Sequence, residues 1–331
     1  MKTFSEKQKE PLVSIGIPTY NNPEGLKTAL RLLTGQTWTN LEIVVSDNCS
    51  PGEETKNVVM SFAENDARIR YFRQNQTSSP VDNFHFVFQQ ATAEYFMWAA
   101  DDDEWEPTFV DECMFHLLNK KNVVLSFTRM RRIDPVTREV LLDNFKDNVD
   151  SDSDNMLWRS FKYTYNSAAN CTYYGIYRKK LINENFFITK FGGDQIDILS
   201  IVYDGKIHIS DKVLFSNGRY GMSQHREYFH QLCPAKWKKI VVNISSTFMW
   251  MYEFLYYAWT NKRYKFTDRL WLSLFILLRF CHYRYVRRFA GDMRALLIRP
   301  AIWKFKKWEV DTKKDPLIQR KAYTVFSKNS E

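Results

Sequence analysis

Residues 12–48 read LVSIGIPTYNNPEGLKTALRLLTGQTWTNLEIVVSDN, and this stretch decides the fold class. Leu12–Ile17 is a short apolar run closed by Pro18, which reads as a buried strand. Pro23–Leu33 then places Leu26, Ala29, Leu30 and Leu33 on one helical face. Leu41–Ser46 is a second strand, rich in β-branched residues. Strand, helix and strand in this order predict a right-handed βαβ unit with parallel strands.

The alternation continues outward. Pro51 and Gly52 open a second helix expected to run to about Asn65, and Ile69–Phe72 is a third strand. Val81–Ala93 is a third helix with Phe84, Val87, Phe88 and Ala91 on one face. Tyr95–Ala99 is a fourth strand entering the acidic run Asp101–Glu104. A helix over Thr108–Asn119 and a strand over Val123–Phe127 follow. Residues 143–155, rich in Asp, Asn and Ser, read as a mobile loop. Strands return at Thr172–Tyr177 and Lys206–Ile209, with a helical pattern around Gln195–Tyr203 between them. The expected class is α/β, a mostly parallel central sheet flanked by helices.

A chain of 331 residues suits one large α/β domain with an appendage, or two ordinary domains. At 44% hydrophobic and 26% charged, its composition is globular and excludes disorder, collagen and coiled coil. The five cysteines are scattered, odd in number and never spaced as CxxC, so reduced thiols in a cytoplasm fit better than zinc or disulfides. The opening MKTFSEKQKEP has no apolar core, so no secretory signal is expected.

Charge is unevenly spread. Residues 234–331 hold 21 Lys and Arg against 7 Asp and Glu, +14 within a chain total of +9, which leaves −5 for the rest. Ile240–Trp259 and Leu270–Phe280 are apolar and aromatic, with Trp250, Trp259 and Trp271 of the kind enriched at headgroup depth. Lys236, Lys238, Lys239, Lys262, Arg263, Lys265, Arg284, Arg287 and Arg288 flank them. The first segment carries Glu253 and the second is too short to span a bilayer, so helices lying on an anionic membrane surface are expected. The other reading packs these faces on the body of the protein or on a second copy, as a homo-oligomer. A nucleic-acid binder fits less well, because the basic residues alternate with large apolar stretches.

Asp101-Asp102-Asp103 follows a buried strand, at the sheet edge where α/β proteins bind ligands. Three adjacent carboxylates repel one another and invite a hard divalent cation, Mg²⁺ or Mn²⁺. A solvated acidic turn before a helix is the plainer alternative. The first strand ends in Pro18-Thr19-Tyr20-Asn21-Asn22 and the second in Ser46-Asp47-Asn48, on the same edge if the sheet is parallel. These groups suit hydrogen bonds to a base and a ribose, though each is also an ordinary turn former. Neither GxGxxG nor GxxxxGK[ST] occurs, nor GxSxG nor HExxH, and the six histidines form no i, i+4 pair.

VSIGIPTYNN, LEIVVSDNCS, VDNFHFVFQQATAEYFMWAADDDEWEP and FGGDQIDI, in that order, resemble the inverting family 2 glycosyltransferases of the GT-A fold. The resemblance covers about residues 11–225. It implies a catalytic domain over 1–232, with a nucleotide-binding part at about 11–107, an acceptor-binding part at about 108–232 and a helical region over 233–331. It implies nucleotide contacts from Pro18, Thr19, Tyr20, Asn22, Asp47, Asn83 and Asp101, and a metal, Mn²⁺ or Mg²⁺, on Asp102 and Asp103. Counting back from Pro107 aligns Asp102 with the usual ligand, whereas a literal Asp-x-Asp register selects Asp101 and Asp103. Gly193-Asp194 stands where the family usually has Glu-Asp, which leaves Asp194 as the implied base and Asp197 as the fallback. The donor implied is a nucleotide-sugar, uridine most often, with thymidine, guanosine and cytidine open. The acceptor implied is a glycan or lipid-linked hydroxyl in surface-polysaccharide assembly, such as O-antigen or capsule. With the basic tail, this places the enzyme in the cytoplasm, peripheral on the inner face of the membrane. A nucleotidyltransferase would share the architecture but normally begins with a glycine-rich loop, which PTYNN is not.

Overall fold

The sheet is built outward from its most buried strand. A computed structural model describes residues 10–134, 137–146, 151, 153–166, 171–182, 186–187, 192–218, 237–238, 241 and 245–281. In it β1 (Val13–Thr19) is flanked in parallel by β2 (Leu41–Asp47) and β4 (Tyr95–Trp98), with β3 (Ile69–Arg73) beyond β2. Every residue of β1 and β2 is buried, as expected for strands covered on both faces.

Pro18 does not stop β1, which runs on to pair Thr19 with Asp47. The pairing of β1 with β4 ends at Gly16, whose carbonyl accepts from Ala99 N–H. Two residues on, Pro18 faces an edge that β4 has left, so its missing N–H removes no ladder bond.

Beyond β4 the direction becomes mixed. β8 (Ile176–Arg178) runs antiparallel between β4 and β6 (Val123–Ile133), β6 runs parallel to β9 (Lys206–Gly218), and β5 (Glu104–Trp105) pairs with the end of β9. β6 and β9 are longer than their apolar runs, because the extensions carry polar residues on their open faces. The loop expected over 143–155 begins instead inside a strand, β7 (Val140–Phe145), which hangs on β6. Its residues are largely exposed, so no apolar alternation marked it. Residues 147–150 and 152 lie outside the described residues. The strand expected at Thr172–Tyr177 is a 3₁₀ turn over Cys171–Tyr174 followed by β8.

Helices cover both faces. α1 (Pro23–Thr34), α2 (Glu54–Ala63) and α4 (Phe109–Asn119) bury Leu26, Leu30, Val59, Phe109 and Met114 against one. α1 starts as its sequence requires, with Asn22 capping Gly25 N–H and Pro23 in the first turn. The other face holds α3 (Pro80–Gln90), α5 (Met156–Asn166), α6 (Gly193–Asp204), α7 (Ser246–Thr260) and α8 (Phe266–Cys281). Phe254, Tyr257, Leu272 and Ile276 of the last two helices share one core with Val87, Tyr163 and Ile198. Among the described residues no helix is long and apolar enough to cross a membrane.

Candidate active site

The ends of β1, β2 and β4 open onto one edge and are knitted together there. Thr19 Oγ1 donates to Asp101 Oδ2 at 2.6 Å, and Asn22 Nδ2 donates to the Asp101 carbonyl at 3.2 Å. A Cβ on Gly25 would run into that same carbonyl, so only glycine lets the acidic run lie against the start of α1. Asn21 (φ 51°) and Cys49 (φ 61°) occupy the left-handed region just after β1 and β2, and Asn21 N–H donates to Ser50 Oγ at 2.8 Å. Non-glycine residues in that region mark loops whose surroundings over-determine them.

Two of the expected nucleotide contacts also brace the strand ends. Asp47 is fully buried; Oδ1 accepts from Ser50 N–H at 2.8 Å and Oδ2 from the Tyr71 hydroxyl at 2.9 Å. Asn83, 3% exposed, accepts from Ser46 Oγ at 2.6 Å and donates to the Ser46 carbonyl at 3.1 Å. Pro18 and Thr19 are buried, while the Tyr20 ring is open to solvent.

The three carboxylates differ in setting. Asp101 and Asp102 are half-buried. Asp103 is buried, with Oδ1 accepting from Asn217 Nδ2 at 2.9 Å and Gly218 N–H at 3.0 Å; its buried Oδ2 has no hydrogen-bond partner among the described residues. Burial raises Asp101 above the ordinary range, and burial with the Asp101 charge pushes Asp102 up to about 6. Asp103 is driven well up by burial and then by Asp102, against the two hydrogen bonds that favour its charge.

Strained carboxylates and an orphaned buried oxygen fit a hard divalent cation. Among the described residues no three His, Cys, Asp or Glu side chains converge on a point. Mg²⁺ and similar ions often take only one or two carboxylates, with water and substrate phosphates supplying the rest. The donor set here is of that kind.

Across the sheet edge, α6 is capped by Gly192 (φ 67°), and Asp194 sits exposed in its first turn. Asp197, one turn on, is 2% exposed and accepts from Phe187 N–H at 3.0 Å; burial pushes its carboxyl well up. The Tyr174 phenol is raised well up, first by burial and then by the charges of Asp103, Asp102, Cys171 and Asp194. Nothing in the sequence singled out Tyr174, because Thr-Tyr-Tyr-Gly reads equally well as strand.

Comparison with known proteins agrees with this geometry. The family model for glycosyl transferase family 2 matches residues 14–186, more than half of the chain. A GalNAc(5)-diNAcBac-PP-undecaprenol beta-1,3-glucosyltransferase of Campylobacter jejuni is 37% identical over 95 residues, 28% of this chain and 30% of that enzyme. The S. aureus TarS fragment 1–349, solved with UDP-GlcNAc, superposes with a TM-score of 0.52 at 17% identity, covering 90% of this chain and 94% of that one. A mannosyltransferase of Pyrobaculum calidifontis, solved with GDP-Man and Mn²⁺, gives 0.57 at 14% identity, covering 97% and 84%. At such identities the structures show the shared GT-A fold alone. The chain belongs to the family 2 glycosyltransferases, although its match spans only 30% of the Campylobacter enzyme's own length.

Proposed function

We propose that this enzyme moves a sugar, with inversion and with the help of a divalent metal, from a UDP-sugar to a hydroxyl of a lipid-linked glycan in surface-polysaccharide assembly. One observation carries the reading: the acidic run leaves β4 at the sheet edge where Thr19 and Asn22 bond Asp101, and the buried Oδ2 of Asp103 has no hydrogen-bond partner among the described residues. Asp102 and the free Oδ2 of Asp103 hold Mn²⁺ or Mg²⁺, which when bound neutralises charge on the leaving diphosphate. Thr19, Asn22 and Asp101 shape the ribose side of the donor pocket, Tyr20 lends an open ring to the base, and Pro18, Asp47 and Asn83 hold the strand ends in place.

Asp194 is the base. Its carboxylate takes the proton of the acceptor hydroxyl as the oxygen attacks the anomeric carbon. The bond from that carbon to the diphosphate oxygen breaks, its electron pair leaves with UDP, and the new glycosidic bond forms on the opposite face.

The lipid-linked acceptor is supported by the substrate in the Campylobacter enzyme's name and by α8. That helix exposes Phe266, Leu270, Trp271, Leu274, Leu277 and Leu278 along one side, beside exposed Lys262 and Lys265. Such a stripe suits shallow insertion into an anionic bilayer. Of the other flanking residues read from the sequence, Lys236, Lys239, Arg284, Arg287 and Arg288 lie outside the described residues.

A screen of nucleotide-sugars for UDP release, with Mn²⁺ and with EDTA, tests the chemistry. At least one UDP-sugar should turn over with Mn²⁺ only; turnover of none, or equal turnover in EDTA, contradicts it. Co-flotation with anionic vesicles and release by high salt tests the surface, and retention in the soluble fraction at low salt defeats it.

A further inference from the structure

The turn that carries Asp194 is held from behind by the two C-terminal helices. Trp250 of α7 lies so close over Gly192 that a Cβ there would collide with the indole. From α8, Arg279 is 1% exposed; Nη2 donates to Gln195 Oε1 at 2.9 Å and Nη1 to the Thr164 carbonyl at 3.0 Å. Its guanidinium lies 5.2 Å from the Phe254 ring centre. The Tyr163 hydroxyl donates to the Gln195 carbonyl at 2.8 Å. Gln195 directly follows Asp194.

Burying a guanidinium is costly, and apolar packing would hold these helices together as well or better. The position of this one supplies a reason. The first turn of α6 is made by Gln195 and Ile196 N–H groups donating to the Gly192 carbonyl at 3.2 Å each. Trp250 meets that turn at Gly192 and Arg279 meets it at Gln195. We propose that Arg279 and Trp250 are positioning residues, which fix the first turn of α6 and thereby aim the Asp194 carboxylate at the attacking hydroxyl. This rests on Asp194 being the base. It makes α7 and α8 part of the catalytic unit as well as a docking surface. A displacement of about 1 Å at a reacting group lowers turnover on the order of 10²-fold.

The test uses the full chain, UDP release to water from the UDP-sugar chosen by the donor screen, and UDP binding with Mn²⁺. Arg279→Met and Gln195→Met should each lower kcat about 10- to 100-fold and leave the UDP Kd within about twofold. The double variant should match the single ones, because both cut the same link. Arg279→Lys should recover part of the loss. Gln195→Met changes one side chain at the helix start and carries the test alone if Arg279→Met does not fold. A lowered Tm with unchanged kcat in these variants overturns the proposal, as do additive losses in the double variant. Asp194→Asn, run alongside, separates the two claims. If it keeps turnover, the base assignment falls and takes the aiming of Asp194 with it; if it loses turnover while Arg279→Met and Gln195→Met keep theirs, the base stands and the brace alone falls.

Discussion

The donor edge and the turn at the start of α6 are built in opposite ways. At the donor edge the polar side chains hydrogen-bond one another across the strand ends: Asp47 with Ser50 and Tyr71, Asn83 with Ser46, Asp101 with Thr19 and Asn22. At the α6 turn Asp194 is exposed, and the residues on either side of it are held by Trp250 against Gly192 and by Arg279 bonding Gln195. The first region is fixed by hydrogen bonds among its own side chains, the second by α7 and α8 packed behind it. Damage to the network should therefore reach stability and donor binding together, whereas damage to the turn should reach turnover alone.

The largest expected effect breaks the donor side. Asp102→Ala should bring UDP release down to the uncatalysed background and abolish metal-dependent UDP binding, while circular dichroism shows the fold intact, because a repelled charge has been removed. Asp194→Asn should lower turnover on the order of 10²–10⁴-fold with UDP affinity unchanged. Asp47→Ala sharpens the contrast. It leaves the Tyr71 hydroxyl and the Ser50 N–H without partners, at a cost of about 1–3 kcal/mol for each orphaned group, read from denaturant midpoints.

Asp197→Asn should be the mildest, with turnover within about twofold of the parent. Burial raises the Asp197 carboxyl, so its neutral form favours the fold. That contribution is complete below its ordinary value of 3.8 and fades as pH climbs through the raised one. The asparagine variant should flatten that pH slope in a series of thermal melts. A loss of turnover here, with Asp194→Asn active, would move the base by three residues.

The same contrast governs how much could be read from the sequence. β1, α1 and β2 were legible because apolar runs, Pro23 and the Leu26-Ala29-Leu30-Leu33 stripe each dictate structure locally. Asp101–Asp103 were legible as a cluster, but the sequence could not divide them. Only the return of β9 shows that Asn217 and Gly218 claim one oxygen of Asp103, while the other has no hydrogen-bond partner among the described residues. Asp47 and Asn83 were legible at the right edge, but their hydrogen bonds were not, since these depend on where Tyr71 and Ser46 lie in the fold. Tyr174, Trp250 and Arg279 left no trace, because their places depend on contacts between segments far apart in the chain.

Calorimetric titration of UDP into the parent, Asp102→Asn and Asp194→Asn, with Mn²⁺ and then with EDTA, tests the division of labour most directly. The parent and Asp194→Asn should bind UDP alike with Mn²⁺ and lose most of that affinity in EDTA, while Asp102→Asn binds weakly in both. Equal affinity of all three proteins, or affinity indifferent to EDTA, would contradict a metal-bearing donor edge set apart from the base on α6.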